Sequence, residues 1–196
     1  MIVYRSLIVA FWLALFAYWA IAAIGAKRTI DRRQNRKGIA IRLSIILLIL
    51  LALRIPALRH TLARLQAHVE SAPVALVGVV LCALGIAIAV WARVHLGSNW
   101  GMPMSRKENP ALVTTGPYTR VRHPIYSGIV LAMVGSAMAM SLVWLLPLLL
   151  FAAYFIYSAR REEALMARLF PNEYRAYMKR SGMLVPRLRA RPILTS

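Results

Sequence analysis

An all-α integral membrane protein is the fold class this sequence predicts, and three observations predict it. Of the 196 residues, 60% are hydrophobic and only 16% are charged. The charges fall in blocks between long apolar runs, whereas a soluble domain of this size spreads charge over its whole surface. Between Arg122 and Arg160 there is no charged side chain at all. The expected architecture is five transmembrane helices, the last two a short helical hairpin, followed by a C-terminal cytosolic amphipathic helix. A single membrane domain is expected over 1–196, with three spans in 1–92, a distinct region over 93–186 and a basic tail over 187–196.

The elements follow in order. Ile2 to Ala26 is long enough to cross a hydrocarbon core of about 30 Å at about 1.5 Å per residue. It is too long for the core of an export signal, and its basic cluster follows rather than precedes it, so it is expected to be the first span. Lys27, Arg28, Arg32, Arg33, Arg36 and Lys37 come next, relieved only by Asp31. Ile39 to Ile55 is the second expected span, with Arg42 and Arg54 at its ends able to snorkel. A polar connection over 56–72 leads to a third span from Pro73 to about Ala92, proline being well placed in a first helical turn. The charge-free stretch after Arg122 is about 55 Å long as continuous helix, too much for one span. Ser141 interrupts it and Pro147 can sit early in a new helix. Two short spans, Ile125 to Met140 and Leu142 to Ser158, are therefore expected. From Ala159 onward, Leu165, Leu169, Tyr174, Tyr177 and Met178 predict an amphipathic helix on the membrane surface.

Charge fixes the expected orientation and excludes one class of partner. Six basic residues lie in the first loop, five in 93–122 and nine in the tail, against two in 56–72. Five crossings put the three basic-rich regions on one side, giving an outside N-terminus and a cytoplasmic C-terminus in a bacterial inner membrane. A net charge of +19 would point to nucleic acid in a soluble protein, but no groove-reading motif accompanies it. Attraction to anionic lipid accounts for it, and Arg120 and Arg122 are assigned to that role. Cys82, the lone cysteine, lies in an apolar run and reads as a packing residue.

A pure anchor needs no polar residues at the mouth of its bundle, yet this chain concentrates them there. The segment from Leu112 to Tyr126 holds a Gly-Pro turn, Tyr118, Arg120, Arg122, His123 and Tyr126. Beyond the hairpin the chain returns with Arg160, Arg161, Glu162 and Glu163. Both ends of a hairpin emerge on one face, so His123 and Glu162 are expected to meet. Such a cluster suits a small ligand with a polar end. Histidine donates or accepts near neutral pH, a carboxylate holds a cation or a hydroxyl, and tyrosines give flat walls with a polar handle.

Four stretches carry a family resemblance: Gly116-Pro117-Tyr118, Arg122-His123-Pro124-Ile125-Tyr126-Ser127-Gly128, Glu162-Glu163-Ala164-Leu165, and Phe170 through Tyr177. In this order they resemble the isoprenylcysteine carboxyl methyltransferase family and its phospholipid-methyltransferase relatives, over roughly residues 91 to 186. The resemblance implies S-adenosyl-L-methionine as methyl donor, bound without a Rossmann domain, and no G-x-G-x-x-G follows an expected strand here. It implies a cofactor cradle of Pro110, Ala111, Leu112 and Val113, with Tyr118, the stretch His123, Pro124, Ile125 and Tyr126, and Glu162 or Glu163 as the binding carboxylate. The acceptor implied is a lipophilic or lipidated molecule, with Ser158, Arg161 and Trp100 as candidate substrate contacts. No metal ligand is implied. Two departures stand out: Pro110 where many members have histidine, and Ser158 where members acting on a prenylcysteine carboxylate have arginine. The alternatives are a phospholipid N-methyltransferase, a thiol S-methyltransferase, a nicotinamide-dependent membrane reductase and a non-enzymatic lipid-binding protein.

Overall fold

The computed structural model describes residues 1–23, 71–97 and 111–187, and these are all helix and connecting turn apart from one isolated bridge. Among the described residues five α-helices stand in the order α1 (Ile2–Ala23), α2 (Ala72–Leu96), α3 (Pro124–Ala139), α4 (Leu145–Leu169) and α5 (Glu173–Arg180). Short 3-10 turns at Gly116–Thr119 and Leu142–Trp144 precede α3 and α4. Among the described residues, three helical stretches are long and apolar enough to cross a membrane: Ile2–Ala22, Ala72–Leu96 and Leu142–Leu169. Helix α3 is a shorter apolar helix of 16 residues, about 24 Å at helical rise. The expected second span, 39–55, lies outside the described residues.

Helix α1 is apolar around its whole circumference, as a helix surrounded by lipid can be. It buries Ile8 and Leu15, seven residues apart, and exposes Leu7, Leu13, Phe16 and Ile21. Ile8 packs with Val79 and Cys82 early in α2. At the other end, Arg93 Nη2 donates to the Ala22 carbonyl at 2.6 Å. The two helices therefore run in the same direction, the relation expected of the first and third spans.

Helix α3 packs antiparallel on α2 through an interface of glycines. Gly78 and Gly85 lie seven residues apart on α2, and Gly128 and Gly135 seven apart on α3. A Cβ on Gly78 would come within 2.6 Å of the Gly135 carbonyl oxygen, and one on Gly128 within 2.5 Å of the Gly85 oxygen. With no hydrophobic drive between helices in lipid, close backbone approach at small residues supplies the packing. The pattern, two glycines at heptad spacing on each helix, was present in the sequence and missed there. Trp12 of α1 adds a hydrogen bond from Nε1 to Ser136 Oγ at 3.0 Å, and Ser136 Oγ donates in turn to the Ala132 carbonyl at 2.8 Å.

The break between α3 and α4 falls where it was expected. Ser141 Oγ accepts from the Val143 N–H at 3.1 Å, and Pro147 is the third residue of α4, where its missing donor costs nothing. The far end of α4 differs from expectation. The helix does not stop at Ser158 but runs unbroken to Leu169, because Ala159 to Leu169 contains only good helix formers and no glycine or proline. The expected amphipathic tail helix is thus two pieces. Leu165 and Leu169 belong to α4, and Tyr174, Tyr177 and Met178 to α5, divided at Phe170-Pro171-Asn172.

Candidate functional site

Polar side chains from four parts of the chain meet where α3 begins and the polar end of α4 returns. Pro124 opens α3, its fixed φ suited to a first turn, and so places His123 just outside the helix and Tyr126 one turn in. The hairpin brings back Glu162 and Glu163. His123 Nδ1 lies 3.6 Å from Glu162 Oε2, and His123 Nε2 lies 3.4 Å from Glu163 Oε1. Tyr126 Oη donates to Glu162 Oε1 at 2.6 Å. Arg122 Nε donates to Glu163 Oε1 at 2.7 Å. The register that brings residue 123 to 162 brings 122 to 163 as well, so Arg122 belongs to the cluster. This corrects its assignment to the lipid surface: its side chain is 10% exposed. Arg120 is exposed.

Aromatic rings back this polar group. His123 stacks on Tyr126 with ring centroids 5.4 Å apart and planes 3° from parallel, and Tyr126 stacks on Phe155 at 4.6 Å and 10°. Ala89, Ile129, Met133 and Ala159 complete the buried cluster, with Trp12 and Trp19 of α1 packed against it. Phe155 was not among the expected site residues. Its place one and two turns before Ser158–Ala159 and Glu162 on the same helix face is the signal that would have found it.

The Gly-Pro-Tyr turn closes the side nearest α2. Gly116 has φ +58°, and a Cβ there would run into the His95 ring, so both backbone and space require glycine. Tyr118 is buried, and its carbonyl accepts from Tyr177 Oη at 2.6 Å. Burial pushes the Tyr118 phenol above the ordinary tyrosine range, and Tyr177 and Glu162 nearby add to that, so Tyr118 is a neutral hydrogen-bonding group. Arg93, 5% exposed, lies within electrostatic reach of Tyr118 and donates Nη1 to the Gly97 carbonyl at 2.8 Å. It was read as part of a polar loop, and its burial on α2 was not foreseen.

The remaining expected residues divide. Pro110 and Trp100 lie outside the described residues. Leu112 and Val113 are half-buried and Ala111 is exposed, ahead of the turn; Ile125 packs beside the aromatic cluster. Ser158 is fully buried, and its hydroxyl has no hydrogen-bond partner among the described residues. Arg161 is exposed on α4, away from the cluster. His123 Nε2 faces Glu163 Oε1 at 3.4 Å, so both ring nitrogens look onto carboxylates.

The family model described as phospholipid methyltransferase matches residues 74–173, a range that includes most of α2, all of α3 and α4, and Arg122, His123, Tyr126, Glu162 and Glu163. The chain is 33% identical over 108 residues to the nickel-cobalt-cadmium resistance protein NccN of Alcaligenes xylosoxydans xylosoxydans, covering 54% of this chain and 48% of that protein. It is 35% identical over 108 residues to the cobalt-zinc-cadmium resistance protein CzcN of Cupriavidus metallidurans, covering 54% and 47%. The chain spans about half the length of these curated relatives.

Proposed function

The chain belongs to the phospholipid methyltransferase family, and from that membership we propose that it is an integral membrane methyltransferase using S-adenosyl-L-methionine on a lipophilic acceptor. The observation that carries the proposal is the convergence of His123, Tyr126 and Glu162 against a stacked aromatic wall. These residues fit the cofactor. A carboxylate suits its cationic centres or its ribose hydroxyls, and the faces of Tyr126 and Phe155 suit a flat ring or a cation. Of the two carboxylates Glu162 is the more exposed, 28% against 16% for Glu163, and Glu163 already pairs with Arg122. Glu162 is therefore assigned to the cofactor.

When bound, S-adenosylmethionine supplies an electrophilic methyl group on sulfur. The chain's own residues then have the work of position and exclusion of water, which for an in-line displacement is most of catalysis. Tyr126 fixes one oxygen of Glu162 by its hydrogen bond and leaves the other directed toward His123. Phe155, Ala159 and Ile129 keep water from the apolar side. A lipophilic acceptor enters between helices while the cofactor enters from the cytosol, and the two meet at the membrane boundary. Ser158 favours an amine or thiol acceptor over a free carboxylate, since a small neutral side chain stands there and Arg160 and Arg161 are exposed.

The deciding experiment is calorimetric binding of S-adenosylmethionine to the purified chain in detergent. Glu162→Ala and Tyr126→Ala are expected to weaken binding at least about tenfold, the order expected when a hydrogen bond to a charged group is lost. Undiminished affinity in folded variants defeats the site. Stabilisation by a nicotinamide cofactor instead would identify the reductase alternative. Transfer of labelled methyl groups into a lipid and small-thiol extract then identifies the acceptor.

A further inference from the structure

Arg122 and the extended segment after α5 take no part in the chemistry above, yet they are tied to it by a dense set of hydrogen bonds. Gly182 N–H donates to the Arg120 carbonyl at 2.9 Å, Arg122 N–H to the Gly182 carbonyl at 2.8 Å, and His123 N–H to the Met183 carbonyl at 3.1 Å. Ser127 Oγ donates to the Leu184 carbonyl at 2.5 Å. Residues 182–184 thus lie as a strap, parallel to 120–123, along the backbone that carries His123. The Arg122 side chain crosses between strap and site. Its Nε reaches Glu163 at 2.7 Å and its Nη1 reaches the Ser181 carbonyl at 2.5 Å, with the Met178 carbonyl at 3.5 Å. The strap can lie this close because Gly182 has no side chain: a Cβ there would run into the Val185 carbonyl.

Glu163 is held between two partners, Arg122 on one side and His123 Nε2, at 3.4 Å, on the other. A half-buried carboxylate deprived of its arginine must draw closer to another hydrogen-bonding partner or be left uncompensated. The one at hand is His123. We infer that Arg122 is a positioning residue for the cofactor site: by anchoring Glu163 Oε1 it fixes the His123 ring, whose Nε2 faces that oxygen while Nδ1 faces Glu162. The C-terminal segment is then part of the binding machinery. This rests on the function proposed above.

The test is a double-mutant cycle on the full chain in detergent, with calorimetric binding of S-adenosylhomocysteine as probe and ligand-free thermal stability in parallel. Arg122→Gln is expected to weaken binding about tenfold, and Arg122→Lys, which keeps the charge but cannot serve Glu163 and the Ser181 carbonyl together, to recover part of that loss. In a Glu163→Gln background the effect of Arg122→Gln is expected to shrink to less than about twofold, because the two act as one unit. A role in fold stability alone predicts losses that multiply and follow the melting temperature, and that result overturns the inference, as does wild-type affinity in Arg122→Gln. Should Arg122→Gln not fold, the cycle is run with Arg122→Lys, where wild-type affinity or multiplicative losses count equally against it. Absence of binding by the wild-type chain defeats the cofactor proposal itself, a separate outcome.

Discussion

Burial holds the phenols of Tyr118, Tyr174 and Tyr177 in their neutral form, and each is held above the ordinary tyrosine value of 10.0. For Tyr177 the pKa is pushed up to about 12 by burial, with Arg122 nearby offsetting part of the rise. Its hydroxyl therefore stays a donor to the Tyr118 carbonyl at any physiological pH. A folded pKa above the unfolded one means that the native state holds its proton longer. The stability this contributes is complete below pH 10 and is lost as pH rises through about 12. Titration of tyrosinate absorbance is expected to show a group of tyrosines ionising late and together with unfolding; all eight ionising near 10 would contradict their burial. Replacing Tyr177 by phenylalanine removes one hydrogen bond and strands the Tyr118 carbonyl, so a loss of about 1–2 kcal/mol is expected in thermal denaturation.

Between α2 and α3 the controlling quantity is the distance between backbones. A methyl group added at Gly85 would lie 2.5 Å from the Gly128 carbonyl oxygen and 2.9 Å from the Ala132 Cα. Neither is the movable end of a side chain, so the helices must separate. Gly85→Ala is expected to cost about 1–3 kcal/mol, the range for overpacking, and Gly85→Leu to prevent folding. Gly97→Ala makes a useful contrast. Its φ is +54° and its ψ −133°, but no described residue lies within 4 Å of the added carbon, so backbone strain of about 1–3 kcal/mol is what opposes it. In detergent, Gly85→Ala and Gly97→Ala should melt below the wild type and Gly85→Leu should show no cooperative transition. Because α3 carries both the glycine interface and Tyr126, widening it should also weaken cofactor binding.

At the scale of the whole molecule the open matter is orientation in the bilayer. The proposal of a cytosolic site and C-terminus rests on the grouping of Arg160, Arg161, Arg168, Arg175, Lys179 and Arg180 beyond the apolar part of α4. The buried native Cys82 is expected to resist labelling, which makes the test direct. A cysteine at exposed Arg175 should react with an impermeant maleimide only after the cells are opened, and one at exposed Ile2 without opening them. Reversed labelling would move the site to the outer face, where S-adenosylmethionine is not made.

Composition and hydropathy alone determined the membrane class, the helical content, the hairpin break near Ser141 and the pairing of His123 with Glu162. These follow from local rules: a bilayer demands apolar length, and a hairpin returns its ends to one face. Tertiary structure decided the rest. The continuation of α4 through Arg160 to Leu169 was hidden because a charged helix and an amphipathic surface helix have the same local pattern. The burial of Arg93 and Arg122 was hidden because an arginine's partners, Ala22, Gly97, Glu163 and Ser181, are brought near only by packing. For the same reason the glycines of α2 and α3 look like ordinary small residues until two backbones are seen in contact. Sequence spacing reports which face a residue occupies; only the fold reports what stands opposite it.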